Sequence, residues 1–273
     1  MRKMLFIKSK YMLLFIILFI TIFSVSDKRV FAQSKSDKIQ PINPLVAHAG
    51  GSIYGFKYTN SLEALEESYK NGFNLIEIDF EWTSDGKVVA IHDWDSMAKR
   101  MLMSESKVYS LYEFKNSKVF QDLTLMDLDD LAKWLETKKD VSIITDMKKD
   151  NIEFLKLISQ DYKNIQDQII PQVYSQGEYF PVKDMGYKDI ILTLYKENIN
   201  DDEVLEFVKG NTVFAVTMPI ERGYSDLPMK LKHINVNTYA HTVNDFYIFE
   251  ELSKNGVTGI YTDIFHANRF KLN

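Results

Sequence analysis

Cysteine is absent from this chain of 273 residues. Its absence excludes a disulfide framework, a lipid-modified cysteine, a cysteine nucleophile and a thiolate metal site. A dense basic patch is also missing. Residues 33–273 hold 27 basic and 37 acidic side chains, which give them a net charge of −10. Such a surface repels nucleic acid and anionic membranes, so we expect no nucleic-acid partner.

The longest apolar run is short for a transmembrane helix. It covers residues 11–25, which is 15 residues, whereas a spanning helix needs about 20. A basic start precedes it, and Val30-Phe31-Ala32 follows as a small-residue cleavage site. We therefore predict that residues 1–32 are a cleaved signal peptide, with an N-terminal membrane anchor as the alternative. The protein is then secreted or extracytoplasmic, with possible membrane association through the N-terminus.

The rest of the chain alternates strand and helix patterns. Residues 33–44 are polar with two prolines and read as a linker, and residues 45–273 form the folded domain. Eight units of strand and helix predict a single α/β domain, a (β/α)8 TIM barrel, whose active site lies at the carboxyl ends of the strands. Segment 94–122 has no clear hydrophobic periodicity, so we predict an inserted loop or lid there. We also expect the last helix to be short. The predicted strands begin at Leu45 and Asn74 and then span 141–147, 169–174, 190–195, 213–218, 234–239 and 259–263.

A hairpin is predicted within residues 74–93, NLIEIDFEWTSDGKVVAIHD. Glu77 and Asp79 alternate with apolar residues, so a strand places both carboxylates on one face. Asp85-Gly86 is typical of a two-residue hairpin loop. That loop would place His92 directly opposite Asp79. The returning strand must be antiparallel, because the connection is too short for a parallel crossover.

Polar residues at the predicted strand ends are candidates for chemistry. Three carboxylates without soft ligands suit a divalent cation such as Mg²⁺ or Ca²⁺. Two histidines beside them suit a general acid and a general base, and a lysine adds positive charge. This set fits a reaction in which negative charge develops on a phosphoryl group. The residues are His48, Glu77, Asp79, His92, Asp146 and Lys148.

Other polar residues receive structural interpretations. We assign Asn60 as the N-cap of the first helix, with Glu63 at the capping-box position. Tyr239 and His241 are predicted to pack at the barrel mouth. His233 and His266 are expected at the surface.

Six motifs, in order, resemble the glycerophosphodiester phosphodiesterases, which belong to the superfamily of phosphatidylinositol-phospholipase-C-like barrels. The motifs are VAHAGG, YTNSLEAL, LIEIDFEWTSDGKVVAIHD, IITDMK, AHTVND and GVTGIYTD, and they cover about residues 45–265. The resemblance implies a (β/α)8 barrel in which His48 and His92 are acid and base. It implies that Lys148 touches the phosphate and that the metal ligands are Glu77, Asp79 and Asp146.

The family often attacks phosphorus with a neighbouring substrate hydroxyl, which forms a cyclic phosphodiester that is then hydrolysed. Three residues depart from the family pattern. Ala49 stands where an arginine is usual, and Asp146 is one methylene shorter than the usual glutamate. His241 replaces a tryptophan. These departures bear on the identity of the substrate more than on the class of reaction.

Three functions follow as hypotheses. The first is an exported, metal-dependent phosphodiesterase that hydrolyses glycerophosphodiesters or a related lipid or cell-wall phosphodiester. The second is a phospholipase-C-like enzyme that cleaves a membrane lipid, which an apolar rim on segment 94–122 would favour. The third, suggested by Ala49, is a barrel that binds a phosphate ligand without turnover. A glycosidase would leave the histidines and Lys148 unexplained. The partner is then a small-molecule or lipid-derived phosphodiester, and the sequence carries no signal for an oligomeric state.

Overall fold

The structure is a computed structural model that describes residues 43–197 and 199–269. The predicted signal peptide or anchor, and all but the last two residues of the predicted linker, lie outside these ranges. Within them, no helix combines the length and the hydropathy needed to cross a bilayer.

Eight parallel strands close into a barrel. They pair in the order β1, β2, β4, β5, β6, β7, β8 and β9, and β9 returns to pair with β1. One further strand, β3, is antiparallel to β2. This arrangement confirms the predicted (β/α)8 barrel with an added hairpin after the second strand. The strands are β1 Leu45–Ala47, β2 Leu75–Trp82, β3 Val88–Ala90, β4 Ser142–Met147, β5 Ile169–Val173, β6 Ile191–Thr193, β7 Ala215–Pro219, β8 Thr238–His241 and β9 Gly259–Thr262.

Helices surround the barrel. The sequence pattern predicts helices near 150–163, 177–186, 201–209 and 244–255, and the helices after β4, β5, β6 and β8 fall close to these positions. After β9, the described chain contains one 3-10 turn, Ala267–Arg269. The helices are α1 Leu62–Lys70, α2 Ser96–Met101, α3 Leu111–Asn116, α4 Leu128–Glu136, α5 Asn151–Asp161, α6 Gln176–Asp184, α7 Asp201–Gly210, α8 Ile220–Gly223, α9 Leu227–His233 and α10 Phe246–Lys254.

Local capping explains where several helices begin. Helices α4 and α7 start at Asp127 and Asn200, and each forms a capping box with the acidic residue three positions later. Helix α4 then buries Leu128, Leu131 and Leu135 against the barrel. The spacing of three and four residues aligns these leucines on one face.

One predicted strand lies too early in the chain. Residues 234–239 were expected in a strand, but β8 begins at Thr238 because helix α9 extends to His233. Ile234 and Asn235 donate backbone hydrogen bonds to Leu231 and Lys232, and Asn235 adopts a left-handed conformation with φ 60°. Ile234 and Val236 pack against the outside of the core. Their alternation with asparagine therefore resembles a strand without forming one.

Segment 94–122 forms two short helices over its own apolar cluster rather than an irregular loop. Trp94, Met97, Met101, Tyr109 and Phe114 are all buried there. Helices α2 and α3 contain only six residues each. Six residues are too few to show a helical period, which is why the pattern was missed.

Candidate active site

His48 lies in a tight turn directly after β1. Ala49, Gly50 and Gly51 all have positive φ, at 49°, 82° and 91°. A side chain at Gly51 would place its Cβ 2.2 Å from Ser68 Oγ, so glycine is required there. The turn fixes the imidazole at the carboxyl end of the barrel.

Asp263 holds the ring of His48. Strands β1 and β9 pair Ala47 with Thr262, so the residues that follow them are neighbours at the mouth. His48 Nδ1 lies 2.8 Å from Asp263 Oδ1. Burial opposes protonation of His48, but the hydrogen bond to Asp263 and then the charge of Glu77 raise its pKa from 6.5 to about 9. His48 is therefore a protonated donor at neutral pH.

Three carboxylates meet on strands β2 and β4. The strand register places Asp79 beside Asp146, and Glu77 lies two residues earlier on the same face. One oxygen of each residue lies within 4.8 Å of the others. Glu77 and Asp79 are only 2% and 1% exposed. The sequence prediction that these three carboxylates converge agrees with this geometry.

Asn60 supports the carboxylate cluster. The sequence prediction that Asn60 is the N-cap of α1 is wrong. Asn60 Nδ2 donates to Asp79 Oδ2 at 3.0 Å, and Asn60 Oδ1 accepts from the Asp79 backbone N at 3.0 Å. The cap is Ser61, whose side chain accepts from Ala64 N. Glu63 does not complete a capping box, because its carboxylate accepts from Thr124 N and Oγ1 instead.

Lys148 bridges two of the carboxylates. Its Nζ donates to Asp79 Oδ1 at 2.6 Å and to Asp146 Oδ2 at 2.8 Å. Burial opposes its charge, yet Asp79 and then Asp146 raise the pKa of Lys148 above its usual value. The other oxygen of Asp146 accepts from the hydroxyls of Tyr174 at 2.5 Å and Tyr195 at 2.9 Å. Tyr174 and Tyr195 therefore contact Asp146 directly, although its side chain is one methylene shorter than the usual glutamate.

The donor set fits a divalent cation. Glu77 Oε2 accepts from Ala49 N at 2.7 Å, whereas Glu77 Oε1 is buried without a hydrogen-bond partner. Burial and then the charge of Asp79 raise the pKa of Glu77 to about 8. A buried carboxylate oxygen beside two other carboxylates needs positive charge, and oxygen donors suit a hard cation. Glu77, Asp79 and Asp146 are therefore the residues that could hold one.

The predicted hairpin register is wrong by one residue. Strands β2 and β3 pair Phe80 with Ala90 and Trp82 with Val88, and Ile91 N donates to Asp79 O. His92 is therefore not the cross-strand partner of Asp79. The loop contains three residues, because Thr83 N donates to Lys87 O and Gly86 N donates to Thr83 O. Gly86 has φ 70°, the left-handed residue that such a three-residue loop needs.

His92 nevertheless lies close to His48, separated from it by the ring of Tyr58. Strand β3 ends at Ala90, so the strand pleat no longer sets the direction of the His92 side chain. Its Nδ1 lies 2.8 Å from Asp93 Oδ2. Its ring centroid lies 5.2 Å from that of Tyr58, which in turn lies 4.8 Å from that of His48. The loop after β3, rather than the strand itself, delivers this histidine.

His241 lines the same small cavity as His48, Glu77 and Asp146. Burial, and then the charge of His48, lower its pKa to about 4, so the imidazole is neutral. Its ring packs edge-on against Tyr195 and Tyr261. The expected packing role at the mouth agrees with these contacts, and His241 Nε2 is additionally buried without a hydrogen-bond partner.

Asp263 and Asn60 support the site, although the sequence analysis assigned neither residue to it. Asp263 stands at the end of a predicted strand, which is the same signal that selected Asp146, so the sequence did contain the information. Asn60 gave no such signal because a cap explains an asparagine before a helix equally well. Both act on the site through other side chains.

A closed barrel with a carboxylate cluster and histidines at the carboxyl ends of its strands is typical of a TIM-barrel enzyme, whose active site lies at that end. Residues 48–266 match the Glycerophosphoryl diester phosphodiesterase family. The chain therefore belongs to this family, whose members are phosphoric diester hydrolases that depend on a metal ion.

Solved structures of the same family share the fold. A glycerophosphodiester phosphodiesterase from Thermotoga maritima is 21% identical over 83% of this chain and 96% of its own, with a TM-score of 0.65. One from Parabacteroides distasonis is 17% identical over 81% and 92%, with a TM-score of 0.64. A phosphodiesterase from Oleispira antarctica, in complex with the product sn-glycerol-3-phosphate, is 15% identical over 82% and 94%, with a TM-score of 0.66.

Proposed function

We propose that this protein is an exported, cation-dependent phosphodiesterase that hydrolyses glycerophosphodiesters or a related lipid or cell-wall phosphodiester. The observation that supports this most is that Lys148 and His48 lie at one carboxylate cluster, while His92 is separated from His48 by a single aromatic ring, that of Tyr58. A barrel that only binds phosphate has no need of two histidines with separate carboxylate partners. His48 pairs with Asp263, and His92 pairs with Asp93.

The substrate class follows from chemistry and from a relative. The phosphodiesterase from Oleispira antarctica holds sn-glycerol-3-phosphate as a product. We infer that this chain also releases a glycerol phosphate or a close analogue. Alanine in place of the usual arginine at position 49 could leave room beside His48 for a larger head group. Ala49 is fully buried, however, so no solvent-accessible space lies beside its side chain.

Each site residue then receives a role. Glu77, Asp79 and Asp146 would hold Mg²⁺ or Ca²⁺, which would supply positive charge to the phosphoryl group. Lys148 adds a second positive charge. His48, whose pKa is raised, donates a proton to the oxygen of the leaving alcohol as its bond to phosphorus breaks. His92 keeps Nε2 available, because Nδ1 contacts Asp93, and accepts the proton of the attacking hydroxyl.

The test is release of glycerol phosphate from glycerophosphocholine by the purified full chain. We expect activity with added Mg²⁺ or Ca²⁺, none in excess chelator, and none in Glu77→Gln. Detection of a cyclic phosphodiester by ³¹P NMR would identify the attacking group as a substrate hydroxyl. Full activity in excess chelator contradicts the role of the cation.

Export is the second part of the proposal, and it rests on residues 1–32. Fractionation of the producing cells and N-terminal sequencing of the mature protein test it. A new N-terminus at Gln33 supports cleavage. An intact N-terminus in the membrane fraction supports the anchor, and an intact protein in the cytosol contradicts export.

Lipid cleavage of the phospholipase-C type is a second candidate. Segment 94–122 buries most of its apolar side chains but leaves Met103, Val108 and Tyr112 exposed at 58%, 49% and 76%. An apolar surface of this kind can enter a lipid interface. Comparing diacyl and deacylated forms of one phosphodiester decides between the candidates, since preference for the deacylated form supports the first.

A further inference from the structure

Tyr58 lies between the two histidines. Its ring centroid is 4.8 Å from that of His48 at an interplanar angle of 85°, and 5.2 Å from that of His92 at 90°. Both are edge-to-face contacts within the range that aromatic pairs prefer. One side chain therefore touches both of the groups to which the proposed reaction assigns proton transfer.

His48 and His92 differ in the number of other side chains that contact their rings. His48 contacts Asp263 through Nδ1 and Thr242 Oγ1 through Nε2. The side chain of His92 is 36% exposed, and its hydrogen bond goes to Asp93, the next residue in its own loop. A bond to an adjacent loop residue restrains a ring weakly, since both partners move together. Tyr58 is the contact that ties His92 to the β1 side of the mouth.

The backbone of Tyr58 adopts a strained conformation. Its φ is 59°, in the left-handed region that disfavours residues with a Cβ. Asn60, two residues later and also at positive φ, is bonded to Asp79. Strain of this kind persists where surrounding contacts hold it, and it clusters at functional sites.

We propose that Tyr58 is a positioning residue that sets the orientation of both catalytic histidines through its ring. This rests on the proposed phosphodiesterase function, and the ring rather than the hydroxyl carries the effect. Loss of the ring lets His92 adopt other rotamers and so lowers the fraction of enzyme in which both proton transfers are aligned. A misplacement of about 1 Å can lower a rate by about 10²-fold.

The test uses Tyr58→Phe, Tyr58→Ala and Tyr58→Gly in the full chain. We expect kcat for the phosphodiester to fall by roughly 10- to 100-fold in the alanine and glycine variants, with a smaller change in KM. The phenylalanine variant keeps the ring and is expected to stay within about threefold of the parent. Glycine accepts positive φ, so Tyr58→Gly should melt at a higher temperature than Tyr58→Ala while losing the same activity.

A second measurement separates this proposal from the proposed function. The NMR signals that report the side-chain rotamers of His48 and His92, namely three-bond couplings around χ1 on selectively labelled protein, should change in both ring-deleting variants and little in Tyr58→Phe. These signals decide the positioning role even if no phosphodiester is turned over. Unchanged histidine signals in Tyr58→Gly overturn the proposal, as does a Tyr58→Phe variant that is as impaired as Tyr58→Ala.

Tyr54 provides the matched control. It has φ 53° on the same loop, but it is 72% exposed at the tip of a small turn. Ile53 and Phe56 close that turn by exchanging two backbone hydrogen bonds of 2.9 Å. Tyr54→Ala is expected to leave kcat and both histidine signals unchanged. A loss equal to that of Tyr58→Ala would mean that the loop as a whole, rather than Tyr58, is responsible.

Discussion

The two halves of the site are built differently. The carboxylates project from strands β2 and β4, where the hydrogen-bonded register places Asp79 beside Asp146. The histidines lie on the loops after β1 and β3. The loop before α1 has four residues other than glycine with positive φ, namely Ala49, Tyr54, Tyr58 and Asn60.

This difference shows what each half requires. A ligand cluster needs fixed separations, which neighbouring strands supply without backbone strain. Proton-transfer groups need particular ring orientations above the cluster, and a strand cannot place a side chain there. The loop after β1 achieves this with strained backbone, and partners such as Asp263 and Tyr58 hold the rings. We therefore expect substitutions in the two halves to damage different properties.

The largest effect should separate cation binding from chemistry. Glu77→Gln removes a charged ligand on the strand side, and we expect the affinity for Mg²⁺ or Ca²⁺, measured by calorimetry, to be lost. His48→Gln should keep that affinity but lower kcat by about 10²- to 10⁴-fold, the usual contribution of a general acid or base. If His48→Gln also abolishes cation binding, the two halves are not separable.

A smaller effect is expected at Asn60, which joins the loop half to the strand half. Asn60→Ala leaves Asp79 without two hydrogen bonds, and loss of such partners typically weakens metal binding by about 10- to 100-fold. The matched control is Ser61→Ala, which removes the α1 cap at a cost of about 1 kcal/mol without touching Asp79. Equal cation affinities in the two variants would remove Asn60 from the site.

The smallest expected effect concerns stability and pH at Asp263. Asp263→Asn should lower the free energy of unfolding by about 1.5–3 kcal/mol, the range for a hydrogen bond to a charged group. The pKa of His48 is raised from 6.5 to about 9, so the stabilisation is complete below about pH 6.5 and is lost as the pH rises through 9. The pKa of Asp263 is lowered from 3.8, so the pair also loses strength in acid.

Denaturant titrations in the presence of chelator test this window. The difference between parent and Asp263→Asn should be largest from about pH 4 to 6.5 and should shrink between 6.5 and 9. A difference that grows above pH 7 would mean that the pair does not stabilise the charged imidazole.

Strand periodicity predicted the barrel because the strands run parallel and are separated by helices of nine or more residues at most connections. The prediction from periodicity failed at the hairpin, where side-chain hydrogen bonds in the loop set the strand register. Asp85-Gly86 suggested a two-residue loop, but Thr83 Oγ1 accepts from Lys87 N and donates to Asp85 Oδ1, which stabilises a longer one. One extra residue is enough to move every cross-strand partner.

The carboxylate half of the site was predictable in the same way, because alternation along β2 fixes the side of Glu77 and Asp79. In the loop half of the site, the sequence predicted which residues are functional but not how their side chains are held. His48 and His92 were recognised by residue type, but nothing in the sequence indicated that Tyr58 would contact both rings. Contacts between loops depend on backbone conformations with positive φ, which residues such as tyrosine rarely adopt and a sequence pattern does not reveal.

The small turn at Ile53–Phe56 forms a separate hydrogen-bonded unit within the loop between β1 and α1. Hydrogen bonds at its base isolate Tyr54 and Gly55 from the anchored positions on either side, and a side chain added at Gly55 would meet nothing within 4 Å. Chain length can therefore change at this tip without transmitting strain to His48 or Asn60. For protein engineering, the tip is an insertion point beside a catalytic site, where a library of longer loops could vary substrate selectivity while the chemistry below stays constant.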